Sequence, residues 1–452
     1  DELLDNFNYA LRYLRDKFDV GVNAGWQLDP FGHSLTHAYL AAKFGMKHIV
    51  MTRVSDQIRD KRTEEQSLQF RWVFPDKSSI IGHIMQNYSA IEGIDCDLDC
   101  NSAPFDREKF QKSLSNWEKG FKYDTFILLG EDFNWTKASS RFKFMDDVLK
   151  IESSLQYSLF SEYTAAFDKQ HGDLPIYSSD FFPLDQTISV LSGYYTTNPR
   201  LKVAIRNVGK TIRSFRSMLF SLVPSEKWKT MLKPLIDVSE DFGVLIHHDA
   251  ITGTSRDKTN EDYFYRIKIM HKTIDGLFAK IFNEKFIFCD QTDIKAGLNN
   301  CPISFDNSPI FLRVYNAQPV ALDKMLEFTL QGKEDLYISI IYKIDKTEEL
   351  VRWEYFCYHN NVCSVFIREE IQPHEMLIYR VEFEIIPQKK QEKKINSSEI
   401  IQMGNFKVQY INNSMRVIDE NTRMTNVWSL QYIETQDGTA YANSYPQSTE
   451  FK

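Results

Sequence analysis

The chain has 452 residues, a length at which two to four domains with sizeable cores are expected. Its hydrophobic content of 42% and charged content of 26% are ordinary for a folded protein, and its formal net charge of −8 disfavours a nucleic-acid surface and fits a neutral or polar ligand. No apolar run approaches the ~18 residues that a bilayer span needs.

The first 195 residues alternate helical patterns with short apolar runs. Apolar residues recur at three- and four-residue steps over 1–18, which predicts an amphipathic helix. Further helical stretches are expected over 34–44, where Gly45 ends the helix, and over 142–170, as one helix or two. Short apolar runs that end in polar residues are interpreted as buried strands: 20–24, 48–53 and 126–129. This alternation favours an α/β domain over 1–195 with a mainly parallel sheet.

The pattern changes after residue 195. One helical face is predicted by Ile205, Val208, Ile212, Phe215 and Leu219, which step by 3, 4, 3 and 4. A second helix over 225–247, with a break expected at Pro234, and a third from 257 complete a three-helix bundle over 196–286.

Period-two patterns rich in β-branched and aromatic residues replace the helical ones from about residue 289. They predict an all-β sandwich over 287–388 and the start of a second β domain over 389–452, with the charge run after Pro387 as a solvated linker. Expected strands lie at 310–315, 337–342, 351–358, 362–367, 376–386 and 406–411.

Cysteines and glycosylation sequons both favour a secretory-pathway lumen. The six cysteines fall into near pairs that are compatible with local disulfides: Cys96/Cys100, Cys289/Cys301 and Cys357/Cys363. None has the CxxC spacing of a structural zinc site. Asn-x-Ser/Thr sequons begin at Asn87, Asn134, Asn396 and Asn412.

The most informative stretch is GWQLDPFGHS at residues 25–34, where a carboxylate follows an apolar run and is followed by Pro, Gly and Ser. Loops at strand ends commonly present catalytic side chains, whereas the simpler alternative is that Asp29 caps the next helix. The ten-residue string resembles the nucleophile segment of the class II α-mannosidases, glycoside hydrolase family 38. The resemblance implies that Asp29 is both the nucleophile and a zinc ligand.

A second carboxylate follows the apolar run at 126–129, in the string GEDF at residues 130–133. Retaining glycosidases need two carboxylates, one as nucleophile and one as acid and then base. The string is similar to the family's acid/base segment, and this similarity implies that Asp132 is the proton donor rather than a solvated loop acid.

A third string, HHDAITGT at residues 247–254, resembles the family's zinc loop. An imidazole pair is more often structural than metal-binding, but the eight-residue match implies zinc ligation by His248 and sugar contact by Asp249. In the family zinc binds two hydroxyls of the mannose ring, and Phe31, Arg53 and Asp185 are expected in the sugar subsite.

Departures from the family pattern concern the metal and the substrate. The remaining zinc ligands are expected from a His-x-Asp in a segment absent from this chain; the string His171-Gly-Asp173 has that spacing but lies in a polar loop and is rejected. The segment 180–185 is one residue shorter than in the family, and Leu191 stands where the family has an aromatic platform.

The sequence therefore predicts an α/β catalytic domain, an incomplete β/α barrel, followed by a three-helix bundle and a β-sandwich region. The expected activity is that of a zinc-assisted retaining α-mannosidase acting on terminal mannose of N-glycans or glycoproteins, somewhat more similar to the Golgi branch than to the lysosomal one. One alternative is a lysosomal-type α-mannosidase. Another is an inactive sugar-binding relative, which the missing His-x-Asp ligands and Leu191 would favour. A third is a zinc hydrolase of amides or esters, which the two carboxylates disfavour.

Overall fold

The computed structural model describes residues 2–88, 91–92, 94, 105–130, 132, 138–187, 189–282, 309–331, 336–344, 348–357, 362–385, 400–403, 406–411, 414–419, 425–429 and 443–444. The pairs Cys96/Cys100 and Cys289/Cys301, the linker after Pro387 and Glu131 lie outside these ranges. Within them, no helix is both long and apolar enough to cross a bilayer.

The chain divides into two compact units, residues 1–215 with 224–282 and 437–452, and residues 216–223 with 283–436. The first unit carries the α/β region and most of the helical region. The domain boundaries expected at 195, 286 and 388 stay predictions.

Helices alternate with short strands in the N-terminal part of the first unit, as the sequence predicts. The strand expected at 20–24 is wrong, because residues 20–23 belong to no strand and the first strand begins at Ala24. The helices are α1 (Glu2–Phe18), α2 (Leu35–Lys43), α3 (Asp56–Glu64), α4 (Arg107–Glu118), α5 (Ala138–Ile151) and α6 (Phe160–Gln170). The strands are β1 (Ala24–Gln27), β2 (His48–Met51), β3 (Gln69–Val73), β4 (Ser79–Ile84), β5 (Ile176–Tyr177), β6 (Leu184–Gln186) and β7 (Ser189–Leu191).

The central sheet has the order β1-β2-β4-β3-β5 and is mixed. The pairs β1/β2, β2/β4 and β3/β5 are parallel, and β3/β4 is antiparallel. Because β1, β2 and β4 run in the same direction, the residues that follow them emerge at one edge of the sheet.

The core beneath this sheet combines its strands with the surrounding helices. Ile49, Val50 and Met51 of β2 are buried, as are Phe70 and Trp72 of β3. A strand buried on both faces reads as a continuous apolar run, which is why β2 was recognisable in the sequence.

The strand expected at 126–129 is wrong. Residues 124–130 are described and belong to no strand, although Leu128 is buried and Phe126 packs against the core. The carbonyl of Asp124 accepts a hydrogen bond from the Gln69 side chain instead of a ladder partner. The apolar run therefore reflects burial and not strand pairing.

Three long helices follow, α7 (Pro199–Leu222), α8 (Lys229–Leu245) and α9 (Asp257–Phe282). The predicted stripe of α7 is confirmed, since each of its five residues is buried. The break expected at Pro234 is wrong, because α8 continues through it. Pro234 removes one amide donor, but the buried face of α8 from Met231 to Leu245 offsets that loss.

The second unit is built from antiparallel sheets, as the period-two patterns predict. Its strands are β8 (Ile310–Tyr315), β9 (Leu322–Gln331), β10 (Leu336–Ile344), β11 (Glu348–Leu350), β12 (Trp353–Cys357), β13 (Val362–Ile371), β14 (Met376–Ile385), β15 (Ile400–Met403), β16 (Phe406–Ile411), β17 (Ser414–Asp419) and β18 (Thr425–Ser429). They form the sheets β11-β10-β14-β8, β12-β13-β9 and β15-β16-β17-β18, whereas β19 (Asn443–Ser444) pairs with β7 in the first unit.

The first two of these sheets share one core. Ile341 of β10 and Tyr379 of β14 pack in the same cluster as Val365 and Ile367 of β13. Cys357 and Cys363 are paired positions in the register of β12 and β13.

Candidate active site

Asp29 lies just beyond β1, and Arg53 lies just beyond the neighbouring parallel strand β2. Nε and Nη2 of Arg53 both contact Oδ1 of Asp29. Two groups that are 24 positions apart in the sequence thus meet because parallel strands end at the same edge.

The alternative that Asp29 caps the next helix is excluded by the contacts at α2. The hydroxyl of Ser34 accepts a hydrogen bond from the Thr36 amide, and the Asp180 carboxylate accepts one from the Leu35 amide. These two side chains satisfy the first turn of α2, so Asp29 remains available for chemistry.

The loop that carries Asp29 is fixed by its own backbone. Gly32 has φ +97, and a Cβ there would lie 2.6 Å from the ring of Phe182, so the position admits only glycine. The backbone of His33 then pairs with that of Phe181 in both directions, at 3.1 and 2.8 Å.

His248 approaches Asp29 from the turn after α8. Its Nε2 lies 3.3 Å from Oδ2 of Asp29, on the oxygen that Arg53 does not contact. Burial raises the pKa of Asp29, but the His248 hydrogen bond and the Arg53 charge outweigh burial and hold the pKa below its usual value. The same hydrogen bond raises the pKa of His248. Asp29 is therefore an ionised carboxylate with both oxygens engaged.

The spacing of these two groups fits a shared zinc ion. Two ligands at ~2.0 to 2.2 Å from a tetrahedral zinc lie roughly 3.3 to 3.6 Å from each other, and the distance between Nε2 of His248 and Oδ2 of Asp29 is 3.3 Å. His247, His248 and Asp249 also offer ligand atoms that all lie within 4.8 Å of one another, with His247 exposed. The donor set of one oxygen and one nitrogen from the partly buried pair fits zinc by type as well as by distance.

Asp132 joins the same group through Tyr88, a residue that the sequence analysis missed. The Tyr88 hydroxyl donates to Oδ1 of Asp132 at 2.8 Å. Burial, the Asp132 hydrogen bond and the charge of Asp29 raise the pKa of Tyr88 to about 12, so the phenol keeps its proton.

Arg53 lies between Asp29 and Tyr88, the residue that reaches Asp132. Its guanidinium lies over the ring of Tyr88 at 5.1 Å and over the ring of Phe31 at 5.2 Å while it contacts Asp29. Flanking rings restrict the side chain and attract its charge, so Arg53 is held in one place.

Tyr88 was missed because β4 was not recognised. The available signal is the stretch 80–85, whose apolar residues are interrupted by Gly82 and His83 and are followed by polar residues.

The predicted sugar-subsite residues Phe31 and Asp185 are connected through the hairpin of β6 and β7. Phe31 is 8% exposed and packs with Leu184 and Leu191, so Leu191 belongs to the support of the Asp29 loop. Asp185 lies on β6 next to Leu184, in the hairpin that contacts Phe31.

Asp249 lies on the same turn as His248, and its carboxylate is 3.6 Å from Nε2 of His247. The rejected string His171-Gly-Asp173 lies at the C-terminal end of α6. Nδ1 of His171 contacts the Gly172 carbonyl, and Nε2 of His171 lies 3.7 Å from Oδ1 of Asp168.

Two family models match consecutive parts of the chain. Residues 1–180 match the glycosyl hydrolases family 38 N-terminal domain, and residues 189–284 match the alpha mannosidase middle domain. The chain belongs to glycosyl hydrolase family 38. The predicted resemblance of the chain to this family is thereby confirmed.

Curated relatives carry consistent names. The chain is 30% identical over 364 residues to alpha-mannosidase F of Dictyostelium discoideum, covering 72% of this chain and 35% of that protein. It is 25% identical over 352 residues to alpha-mannosidase 2 of Homo sapiens, covering 63% of this chain and 31% of that protein. The lysosomal alpha-mannosidase of Dictyostelium discoideum is 24% identical, covering 60% and 29%. The chain thus spans about a third of the length of these curated relatives.

Among solved structures, an alpha-mannosidase from Enterococcus faecalis V583 aligns with a TM-score of 0.63 and 13% identity, covering 95% of this chain and 52% of that one. At this identity the likeness establishes the fold alone. The likeness in fold extends beyond the residues that the two family models match.

Proposed function

We propose that the protein is a retaining α-mannosidase that removes terminal α-linked mannose from N-glycans or glycoproteins in the lumen of the secretory pathway. The observation that carries the proposal is the ionised Asp29 carboxylate held between Arg53 and His248 at the sheet edge. Relatives named as lysosomal enzymes and the human alpha-mannosidase 2 support a glycan substrate and a lumenal location.

In the first step, an oxygen of Asp29 attacks the anomeric carbon of mannose while the bond from that carbon to the glycosidic oxygen breaks. Asp132 gives its proton to the departing oxygen. In the second step, Asp132 takes a proton from water as the water oxygen attacks the anomeric carbon and releases Asp29. The net reaction is hydrolysis with retention of configuration.

Each neighbour has a defined part in these steps. Arg53 fixes Oδ1 of Asp29, so Oδ2 keeps a constant direction. The positive charge of Arg53 favours the ionised form of Asp29. Tyr88 donates to one oxygen of Asp132 and leaves the other for the glycosidic oxygen. Asp249, Phe31 and Asp185 are proposed to form the sugar subsite.

Asp29 and His248 would hold a zinc ion, together with ligands from outside this chain's described residues. When bound, zinc supplies a Lewis acid that engages hydroxyls of the mannose ring. The 3.3 Å pair and its donor types support this assignment.

An inactive sugar-binding relative is the second candidate. It is favoured by Leu191, which offers no ring for stacking and is buried against Phe31. The two candidates make opposite predictions for turnover.

Proton NMR of an aryl α-mannoside digest tests the proposal, with the protein assayed before and after chelation and Zn²⁺ return. The expected first product is the α-anomer of mannose, with activity lost on chelation and restored by Zn²⁺. Initial formation of the β-anomer would contradict retention, and binding without turnover would favour the inactive relative.

A further inference from the structure

Lys202 makes an unusual set of contacts at the base of the candidate site. It lies in the first turn of α7, and its Nζ donates to the backbone carbonyl oxygens of Thr197, Ile251 and Thr252 at 2.8, 2.8 and 2.7 Å. All three acceptors are neutral carbonyls, so the ammonium connects three backbone positions through hydrogen bonds. Charge-assisted hydrogen bonds of this kind are about twice as strong as neutral ones.

Two of these carbonyls belong to the turn that carries His248. The turn is closed by hydrogen bonds from the amides of Ala250 and Ile251 to the carbonyl of His247, at 2.9 and 3.1 Å. The conformation of this turn is set by its own hydrogen bonds, and Lys202 fixes its position. A displacement of Lys202 would therefore displace His248.

The third carbonyl belongs to the segment that holds the Asp29 loop. Thr197 is tied to Gly193 through its amide and its hydroxyl, and in the same segment the hydroxyl of Tyr194 donates to the carbonyl of Phe31 at 2.6 Å. Phe31 is two residues from Asp29, so this segment fixes the nucleophile's loop from the other side.

The turn that carries His248 and the segment that contains Thr197 are also in direct contact. Gly253 has φ +75, and a Cβ at that position would lie 2.5 Å from the Thr197 carbonyl oxygen. Gly253 lies so close to the Thr197 carbonyl that only glycine fits at this position. This contact independently supports a fixed distance between the turn and the segment.

We propose that Lys202 is a positioning residue that sets the spacing between His248 and Asp29, and with it the capacity of this pair to hold a divalent metal. The inference rests on the proposed function for its catalytic meaning. It concerns metal retention and local order, both of which are measurable without turnover.

The test compares Lys202→Met and Lys202→Gln with the unaltered protein and with Lys210→Met, an exposed lysine of the same helix. Zn²⁺ affinity is measured by competition with a chromophoric chelator, and amide exchange of residues 247–254 is measured by mass spectrometry. We expect Lys202→Met to weaken Zn²⁺ binding at least tenfold and to speed exchange in 247–254 at least tenfold, while peptides from β2 and the melting temperature change little. Lys202→Gln, which keeps two donors, should fall between, and Lys210→Met should match the unaltered protein.

Unchanged Zn²⁺ affinity and unchanged exchange in Lys202→Met would overturn the inference, as would exchange that rises equally in all peptides. If Lys202→Met does not fold, the same criteria apply to Lys202→Gln. If the unaltered protein takes up no Zn²⁺ and cleaves no mannoside, the proposed function fails, and the exchange comparison alone decides the role of Lys202.

Discussion

His33 provides a stability test of the loop that carries Asp29. Its side chain is buried, and within the described residues no group hydrogen-bonds to its Nε2. Burial, with a smaller contribution from His37, lowers the pKa of His33 from 6.5 to about 3. The folded protein therefore holds this imidazole neutral at pH values where the unfolded chain protonates it.

The sign and size of the effect follow from linkage. Because the folded-state pKa is depressed, the contribution of His33 to the free energy of unfolding is complete above pH 6.5 and falls as the pH falls below it. At pH 4.5, two units below the unfolded pKa and above the folded one, the loss is about 2.7 kcal/mol at ~1.36 kcal/mol per unit.

The substitution His33→Gln removes this titration while keeping a polar side chain of similar size. Urea unfolding is followed at pH 7.5 and pH 4.5 by hydrogen exchange of peptides covering residues 35–51. We expect the free energy of unfolding of the unaltered protein to fall, relative to the variant, by about 2.7 kcal/mol between the two pH values. Equal pH dependence of the two proteins would refute the argument, whatever their absolute stabilities.

Further predictions concern catalysis, packing and covalent structure. Asp132→Ala should slow substrates with poor leaving groups by ~10²- to 10⁴-fold and activated aryl mannosides far less, because only the former need a proton donor; equal loss in steady-state kinetics would argue against the acid role. Gly82→Ala should lower the free energy of unfolding by about 1 to 3 kcal/mol or prevent folding, because its Cβ would lie 2.3 Å from the buried ring of Phe70; wild-type stability in urea would contradict the packing. Cys289 and Cys301 are expected to form a disulfide worth roughly 2 to 3 kcal/mol, and two free thiols in non-reducing peptide maps of secreted protein would remove it.

Much of the architecture could be predicted because burial leaves a periodic trace. The stripe of α7 and the run of β2 were visible for that reason, and the same strand logic placed Asp29 and Arg53 at strand ends. Their roles, in contrast, came from resemblance to the family, since spacing alone left Asp29 open to a capping role.

Other features are harder to predict. Periodicity reports burial but not strand partners, so the run at 126–129 predicts a strand that does not form. The hairpin of β3 and β4, which leads to Tyr88, leaves only a weak pattern because Gly82 and His83 interrupt the apolar residues of β4. Lys202 acts on backbone carbonyls, which every sequence possesses, so no motif could have indicated it.

Covalent trapping decides whether Asp29 attacks the anomeric carbon. The protein is incubated with a 5-fluoro mannosyl fluoride, digested and analysed by tandem mass spectrometry. We expect a mannosyl adduct on the peptide that contains Asp29, absent in Asp29→Asn. An adduct on Asp132, or undiminished turnover in Asp29→Asn, would contradict it.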